Sequence, residues 1–377
     1  MNQKGEFFPD VADINFTNPP DQQVNRASYR EVRKYMVDYF SKSKDILSLY
    51  EFGTVNAPSI SDIDLMIVLK DKPSPGVHKF LARDSVSNLA RYLMMDNTLM
   101  VVNEEGFKNI PIWDDMNLVN LFGKDIKKNQ PSEKESHFVE IARVMDWLPE
   151  RTMRMVELVS RNEIPTRATL CLVNSFIYVI ERLRDSFGFK FDSFESFVAD
   201  FHTLRSDWFK IKDNEKVLYE YLKNSILMGF EAIHRFDDYC IINGFYGSDV
   251  FPETATFRLN PKITSWTKQK MYYNFSKDYN EISALESYNR CVSSKRSSII
   301  VLPMSYYQHL YCYGSRSGEI SSKIVQSLNP QNYQILDGIN KDLKDLLYKR
   351  ISIIDNMGIF LKENNVKRGL LKFGWFL

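Results

Sequence analysis

Cysteine and histidine are scarce in this chain, and their scarcity excludes two classes of protein. The sequence has 377 residues, of which only four are cysteine and five are histidine. The cysteines are too few and too far apart for a disulfide scaffold or a zinc module. They are Cys171, Cys240, Cys291 and Cys312. The histidines show no metal-ligand spacing, so we expect neither a small secreted fold nor a zinc site.

A surplus of charge and a long apolar run are absent as well. The 49 basic residues nearly balance the 48 acidic ones, which leaves a net charge of +1. This balance argues against a long nucleic acid as partner, because a phosphate backbone requires basic surface. No run approaches the roughly 18 apolar residues of a membrane helix, and residues 1–23 are polar. We therefore expect a cytoplasmic protein that does not enter a membrane.

The most informative stretch is a turn of small residues followed by two carboxylates. Gly53 and Thr54 end one apolar run, and Asp62 and Asp64 begin the next after seven residues. Side chains two apart on a strand project from the same face, so the two carboxylates should point together. Their repulsion favours a bound cation, and Mg²⁺ prefers one or two carboxylates plus phosphate oxygens. The alternating apolar residues should face a core: Ile63, Leu65, Ile67 and Leu69.

The segments around this motif have a recognisable order. Apolar spacing predicts a helix before the motif and a strand that ends at Gly53. After the acidic strand, the pattern predicts an amphipathic helix and then a second apolar strand. A hairpin turn at 103–106 and a further strand at 107–113 follow, and then a short helix or turn. The predicted segments are 24–40, 46–52, 77–95, 98–102, 107–113 and 116–123.

Gly53-Thr54 followed by Ser61-Asp62-Ile63-Asp64-Leu65 resembles the signature of the DNA polymerase beta-like nucleotidyltransferase superfamily. The resemblance covers roughly residues 25–125. It implies a small mixed sheet with helices on one face, and two Mg²⁺ ions held by three carboxylates. It also implies nucleotidyl transfer from a nucleoside triphosphate. By position, Asp62 and Asp64 would be metal ligands and catalytic residues, and the implied nucleotide-binding residues are Gly53, Thr54 and Ser61.

The third carboxylate is less evident from the sequence. The family carries it on the strand after the helix, but residues 98–102 contain no acid. We take Glu104 as the third metal ligand, with the alternative that Glu104 and Glu105 are solvated turn residues. The other nearby acids are Asp96, Asp114 and Asp115.

Two functions remain open at this point. The first is a Mg²⁺-dependent enzyme that transfers a nucleotidyl group to a small molecule or a protein. The second is an inactive relative that binds nucleotide or serves as a protein-interaction scaffold, because a fold does not fix a function. The shortened loop between Thr54 and Asp62 and the missing third acid motivate the second.

The rest of the chain is predicted to be mainly helical. Ser132 and Glu135 form a capping-box pattern that predicts the start of a helix. Further helical patterns cover 133–160, with a kink or boundary at Pro149, and then 166–187, 193–204 and 213–243. We therefore expect an α+β protein with three regions. They are a nucleotidyltransferase-like domain (1–130), an α-helical domain (131–247) and a mixed, mostly helical region (248–377).

Overall fold

The computed structural model describes two stretches of the chain. The first is residues 8–245, apart from 75, 78–79, 82–85, 96–99, 114–115 and 161. The second is residues 340–353, apart from 344, 347–348 and 351–352. Most of the predicted region 248–377 therefore lies outside the described residues.

Six strands and seven α-helices lie within the described residues of 8–245, and most of the described residues of 340–353 are helical as well. The strands are β1 (Asn15–Thr17), β2 (Ile46–Phe52), β3 (Asp64–Leu69), β4 (Met100–Asn103), β5 (Val119–Gly123) and β6 (Glu163–Pro165). The helices are α1 (Arg26–Phe40), α2 (Asn88–Leu93), α3 (Glu104–Lys108), α4 (Glu133–Ser160), α5 (Thr166–Phe187), α6 (Phe194–Ser206) and α7 (Asn214–Ile242). None of these helices combines the length and apolarity that crossing a bilayer requires.

The chain divides into two compact units, each built from separate parts of the sequence. The sheet unit contains Asp21–Arg143 and the described residues from 342 onward. The helical unit contains the described residues of 8–20, 144–245 and 340–341. The division falls at Arg143, inside α4, whereas the sequence analysis placed the first boundary at residue 130.

The sheet unit is organised around four strands in the order β4-β3-β2-β5. Strand β2 runs antiparallel to both β3 and β5, and β3 runs parallel to β4. The small mixed sheet and the α+β class are therefore confirmed. The predicted core residues are also confirmed, since each is at most 2% exposed: Ile63, Leu65, Ile67 and Leu69.

Helices cover both faces of this sheet, not one. On one face, the guanidinium of Arg33 in α1 donates two hydrogen bonds of 2.6 Å to the carboxylate of Glu51. On the other face, the ring of Phe107 in α3 stacks on Tyr50 at 4.4 Å between centroids. Tyr50 and Glu51 are neighbours in β2, so their side chains project from opposite faces. This arrangement corrects the expectation of helices on a single face.

The segment after β4 differs most from the sequence prediction. Asn103 is the N-cap of α3, and its side chain accepts a hydrogen bond from the amide of Gly106 at 2.8 Å. Residues 107–113, predicted as a strand, instead continue α3 and form a 3₁₀ turn at Ile110–Ile112. The N-cap preference of Asn outweighed the hairpin pattern here. The predicted helix or turn at 116–123 is strand β5, which pairing with β2 stabilises.

The long helices follow the sequence pattern closely. The predicted capping box is present, because the Ser132 amide donates to Glu135 Oε2 at 3.0 Å and the Glu135 amide donates to Ser132 Oγ at 3.2 Å. Helix α4 continues through Pro149 without ending there, so a boundary at that residue is wrong. Helix α5 has the predicted bounds, and α6 and α7 end within two residues of theirs. In contrast, among the described residues of the predicted helix 77–95, only Asn88–Leu93 form an α-helix.

Candidate functional site

Gly53 and Asp64 lie side by side at one end of the sheet, where β2 ends and β3 begins. Their strands pair with Phe52 opposite Asp64, so Gly53 follows immediately on that pair. Gly53 has φ +78°, a left-handed backbone conformation that disfavours side chains. A Cβ atom built on Gly53 would lie 3.4 Å from Oδ2 of Asp64. The glycine therefore leaves space beside this carboxylate oxygen that any other residue would occupy.

Asp62 is half-buried, as Asp64 is, and it lies between buried neighbours. Burial alternates along the segment, because Ser61, Ile63 and Leu65 are buried while the two aspartates are half-buried. Strand β3 begins at Asp64, so Asp62 precedes the strand. The amide of Ile63, between the two acids, donates a hydrogen bond to the carbonyl of Leu93 at the end of α2, at 2.9 Å. The predicted alternation of the acidic segment is thus present, although the hydrogen-bonded strand starts two residues later.

Ser61 acts inside the loop that precedes the aspartates. Its hydroxyl accepts a hydrogen bond from the Ala57 amide at 3.1 Å, and its own amide donates to the Ala57 carbonyl at 2.8 Å. Ser61 is only 3% exposed. It therefore closes one turn of the loop, whereas Gly53 and Thr54 are exposed at its beginning. Of the three implied nucleotide-binding residues, Gly53 lies beside Asp64, Thr54 follows it at the exposed beginning of the loop, and Ser61 is buried in the turn.

Two tyrosines that the sequence analysis did not identify hold this loop. The hydroxyl of Tyr29 in α1 donates to the carbonyl of Ser61 at 2.6 Å. The hydroxyl of Tyr92 in α2 donates to the carbonyl of Ser59 at 3.1 Å. These partners are 32 and 33 residues apart in the chain, so no local pattern could have revealed them.

Ser59 adopts a costly conformation in the same loop. Its φ is +70°, which is uncommon for a residue other than glycine and costs about 1–2 kcal/mol. Its side chain is fully buried, and Oγ has no hydrogen-bond partner among the described residues. Strain of this kind persists where the surroundings impose it, and it is frequent next to functional sites.

Glu104 lies at the opposite end of the sheet from the two aspartates. Strand β4 runs parallel to β3, with Asn103 opposite Leu69. Glu104 follows Asn103 and is therefore next to the last residue of β3, whereas Asp64 is its first. The five intervening steps along a strand span about 17 Å. The structure does not bring Glu104 to Asp62 and Asp64.

Glu104 instead forms ion pairs with two lysines. The Nζ atoms of Lys108 and Lys124 lie 3.0 and 3.1 Å from its Oε1 atom. Their ammonium groups, with Lys108 contributing most, hold the pKa of Glu104 below its ordinary value. Because of these ion pairs and its distance from the two aspartates, Glu104 is not positioned to be the third metal ligand. The other nearby acids of the sequence analysis, Asp96, Asp114 and Asp115, lie outside the described residues.

Asp62 and Asp64 are the residues of this site whose chemistry suits a Mg²⁺ ion. Two half-buried carboxylates supply hard oxygen ligands, and the space beside Gly53 leaves room for phosphate oxygens next to Asp64. Mg²⁺ is commonly held by one or two carboxylates together with substrate phosphates. Among the described residues, no group of three or more His, Cys, Asp or Glu side chains could hold a metal. The described residues therefore supply no third carboxylate for the second ion that the resemblance implies.

Comparison with known proteins adds no relative to this picture: no protein-family model, no curated protein and no solved structure matches the chain.

Proposed function

We propose that this protein transfers a nucleotidyl group from a nucleoside triphosphate to a small molecule or a protein, with Mg²⁺ as cofactor. The observation that carries the proposal is the space beside Asp64 Oδ2, created by a left-handed glycine on the neighbouring strand. The resemblance to the DNA polymerase beta-like nucleotidyltransferases supports it, since helix, strand, glycine, acidic strand, helix and strand follow in the expected order.

Each group in the proposed site has a separate task. Gly53, which lacks a side chain, allows the triphosphate to approach the backbone closely. Asp62 and Asp64 would supply the carboxylate oxygens that hold the Mg²⁺ ion beside the triphosphate. When bound, Mg²⁺ neutralises phosphate charge and steadies the leaving pyrophosphate.

The transfer itself exchanges one bond to the α-phosphorus for another. The acceptor hydroxyl oxygen forms a bond to the α-phosphorus, while the bond from that phosphorus to its bridging oxygen breaks. Pyrophosphate leaves, and the hydroxyl proton passes to solvent. Rate acceleration in such a site comes mainly from positioning and electrostatic stabilisation. The net charge of +1 favours a small or protein acceptor over a long nucleic acid.

A second candidate function is Mg²⁺-dependent nucleotide binding without transfer. The position of Glu104 favours this second function. Its carboxylate forms ion pairs with Lys108 and Lys124, and it lies about 17 Å from Asp64 along the strand direction. A single carboxylate pair can hold a metal-bound nucleotide without activating an acceptor. Binding and transfer therefore require separate measurements.

Binding is tested by calorimetric titration of non-hydrolysable analogues of the four ribonucleoside triphosphates, with and without Mg²⁺. The wild type is compared with the Asp62→Asn/Asp64→Asn double variant. We expect one analogue to bind the wild type only with Mg²⁺, and the double variant to lose that binding. At 100 times its Kd, the analogue should stabilise the wild type by about 2.7 kcal/mol.

Glu104→Gln is the matched control for these variants. It also removes one carboxylate from the sheet unit, but at the far end of β3, so it should leave binding within twofold of wild type. Release of labelled pyrophosphate from the bound triphosphate in the presence of cell extract then distinguishes transfer from binding alone. Failure of all four analogues to bind the wild type would contradict both candidate functions.

A further inference from the structure

The backbone on either side of Asp62 is hydrogen-bonded to helices, beyond the end of the β2–β3 pairing. The β2–β3 pairing extends only to Phe52 opposite Asp64, so Asp62 lies beyond the last paired residue. One residue before Asp62, the Ser61 carbonyl accepts the hydrogen bond from Tyr29. One residue after it, the Ile63 amide donates to the Leu93 carbonyl. The backbone on both sides of Asp62 is therefore hydrogen-bonded to α1 and α2.

Tyr92 extends this support toward the middle of the loop. Its hydroxyl donates to the Ser59 carbonyl and accepts a hydrogen bond of 2.7 Å from the amide of Asp21, which precedes α1. Ser59 is the residue with the left-handed backbone. A conformation that the residue itself disfavours must be imposed from outside, and Tyr92 contacts it directly.

From these contacts we infer that Tyr29 and Tyr92 are positioning residues of the proposed nucleotide site. Tyr29 fixes the backbone that carries Asp62, and Tyr92 holds the strained turn that precedes it. The inference rests on the proposed function, because it gives the two hydroxyls a role in metal-dependent nucleotide binding. Groups that orient the ligands of a metal site affect metal affinity strongly although they do not touch the ion.

The two tyrosines should differ in the size of their effects. Tyr29 is 1% exposed, and its bond of 2.6 Å ends on the residue next to Asp62. Tyr92 is partly exposed, and its bond of 3.1 Å ends three residues before Asp62. Loss of the Tyr29 hydroxyl should therefore have the larger effect on the acidic pair.

The test replaces each tyrosine with phenylalanine, which removes only the hydroxyl. The probe is whichever of the four non-hydrolysable triphosphate analogues binds the wild type most tightly with Mg²⁺. We expect Tyr29→Phe to weaken this binding about tenfold and Tyr92→Phe to weaken it less. Amide hydrogen exchange at Ile63 in the nucleotide-free protein should be faster in Tyr29→Phe than in the wild type.

Tyr50→Phe is the control for general destabilisation. The Tyr50 hydroxyl also lies in the sheet unit and makes two bonds to backbone, donating to the Lys124 carbonyl at 3.0 Å and accepting from the Ile126 amide at 2.8 Å. Its loss should lower the melting temperature at least as much as the loss of the Tyr29 hydroxyl. Nucleotide binding and exchange at Ile63 should nevertheless stay at their wild-type values.

The possible outcomes separate this inference from the proposed function. If the wild type binds and Tyr29→Phe binds equally tightly, the positioning role is overturned and the nucleotide site remains. If Tyr29→Phe and Tyr50→Phe lose nucleotide affinity equally, the loss comes from lower overall stability, and the positioning role is overturned as well. If the wild type binds no analogue, the proposed function is overturned first, and the positioning role is overturned with it.

Discussion

A Cβ atom on Gly53 would lie 3.4 Å from Oδ2 of Asp64, although 11 positions separate the two residues in the chain. The contact joins the end of β2 to the start of β3. A separation of 3.4 Å is ordinary van der Waals contact, so a methyl group could enter this space without displacing Asp64. It would, however, occupy the side of the carboxylate that the glycine leaves open.

Gly53→Ala should therefore reduce ligand binding more than its effect on stability explains. The left-handed φ of +78° makes alanine unfavourable by about 1 kcal/mol. The added methyl group would also narrow the approach to Asp64 Oδ2. We expect a modestly lower melting temperature and at least tenfold weaker binding of the Mg²⁺-dependent nucleotide analogue, measured by calorimetry.

Gly188→Ala provides the matched control for backbone strain. Gly188 follows α5 with φ +71°, and a Cβ atom there would meet no atom within 4 Å. Its substitution should cost about the same 1 kcal/mol in unfolding and leave nucleotide binding unchanged. If both variants bind nucleotide as the wild type does, the space beside Asp64 does not serve a ligand.

The capping box of α4 should contribute measurable stability. Ser132→Ala removes the hydroxyl that accepts from the Glu135 amide, and a lost N-cap costs about 1 kcal/mol. Chemical denaturation monitored by circular dichroism checks this value. Glu133→Gln, in the same helical turn, is the control, and we expect it to cost less than half as much. Equal losses in the two variants would contradict a specific contribution of the cap.

The same cap should make stability depend on pH. The Ser132 amide, followed by the ammonium of Lys349, lowers the pKa of Glu135 in the folded protein below its ordinary value of 4.5. A carboxyl group with a lowered folded pKa binds its proton less readily when folded. Its contribution is therefore complete above the ordinary pKa and is lost as the pH falls through the lower, folded pKa. Glu135→Gln should remove this part of the acid dependence of the unfolding midpoint.

Gly229 should be intolerant of alanine even though it lies in a helix. A Cβ atom on Gly229 would lie 2.9 Å from Cγ2 of Thr152 and closer still to its hydroxyl, and 3.2 Å from Cε2 of Phe176. Overpacking of this kind costs about 1–3 kcal/mol, more than the roughly 1 kcal/mol that alanine gains in helix propensity. We expect Gly229→Ala to lower the free energy of unfolding.

A double variant identifies the cause of that loss. Gly229→Ala/Thr152→Ala removes the crowded side chain and should be more stable than the sum of the two single variants predicts. Asn224→Ala, at an exposed position of α7, reports the gain in helix propensity alone. Additive effects of Gly229→Ala and Thr152→Ala would show that the two residues do not collide.

Local patterns predicted several elements correctly. Strand β2 and helix α5 have the predicted bounds, and the capping box at Ser132 forms as expected. Apolar periodicity identifies such segments because the spacing of their buried residues is visible in the sequence. The sequence pattern of residues 116–123 predicts a helix or turn, but part of this segment forms strand β5. The strand is stabilised by pairing with β2, which its own pattern does not reveal.

By itself, the sequence determined the acidic pair, the glycine before it and the alternation of burial from Ser61 to Leu65. Such alternation follows from extended backbone, so the spacing of polar and apolar residues is sufficient to predict it. Only the tertiary structure decided which distant residues join them. It brought Tyr29 and Tyr92 to the loop and directed Glu104 to two lysines at the opposite end of the sheet. These placements depend on strand order and helix docking, which no short segment of the sequence encodes.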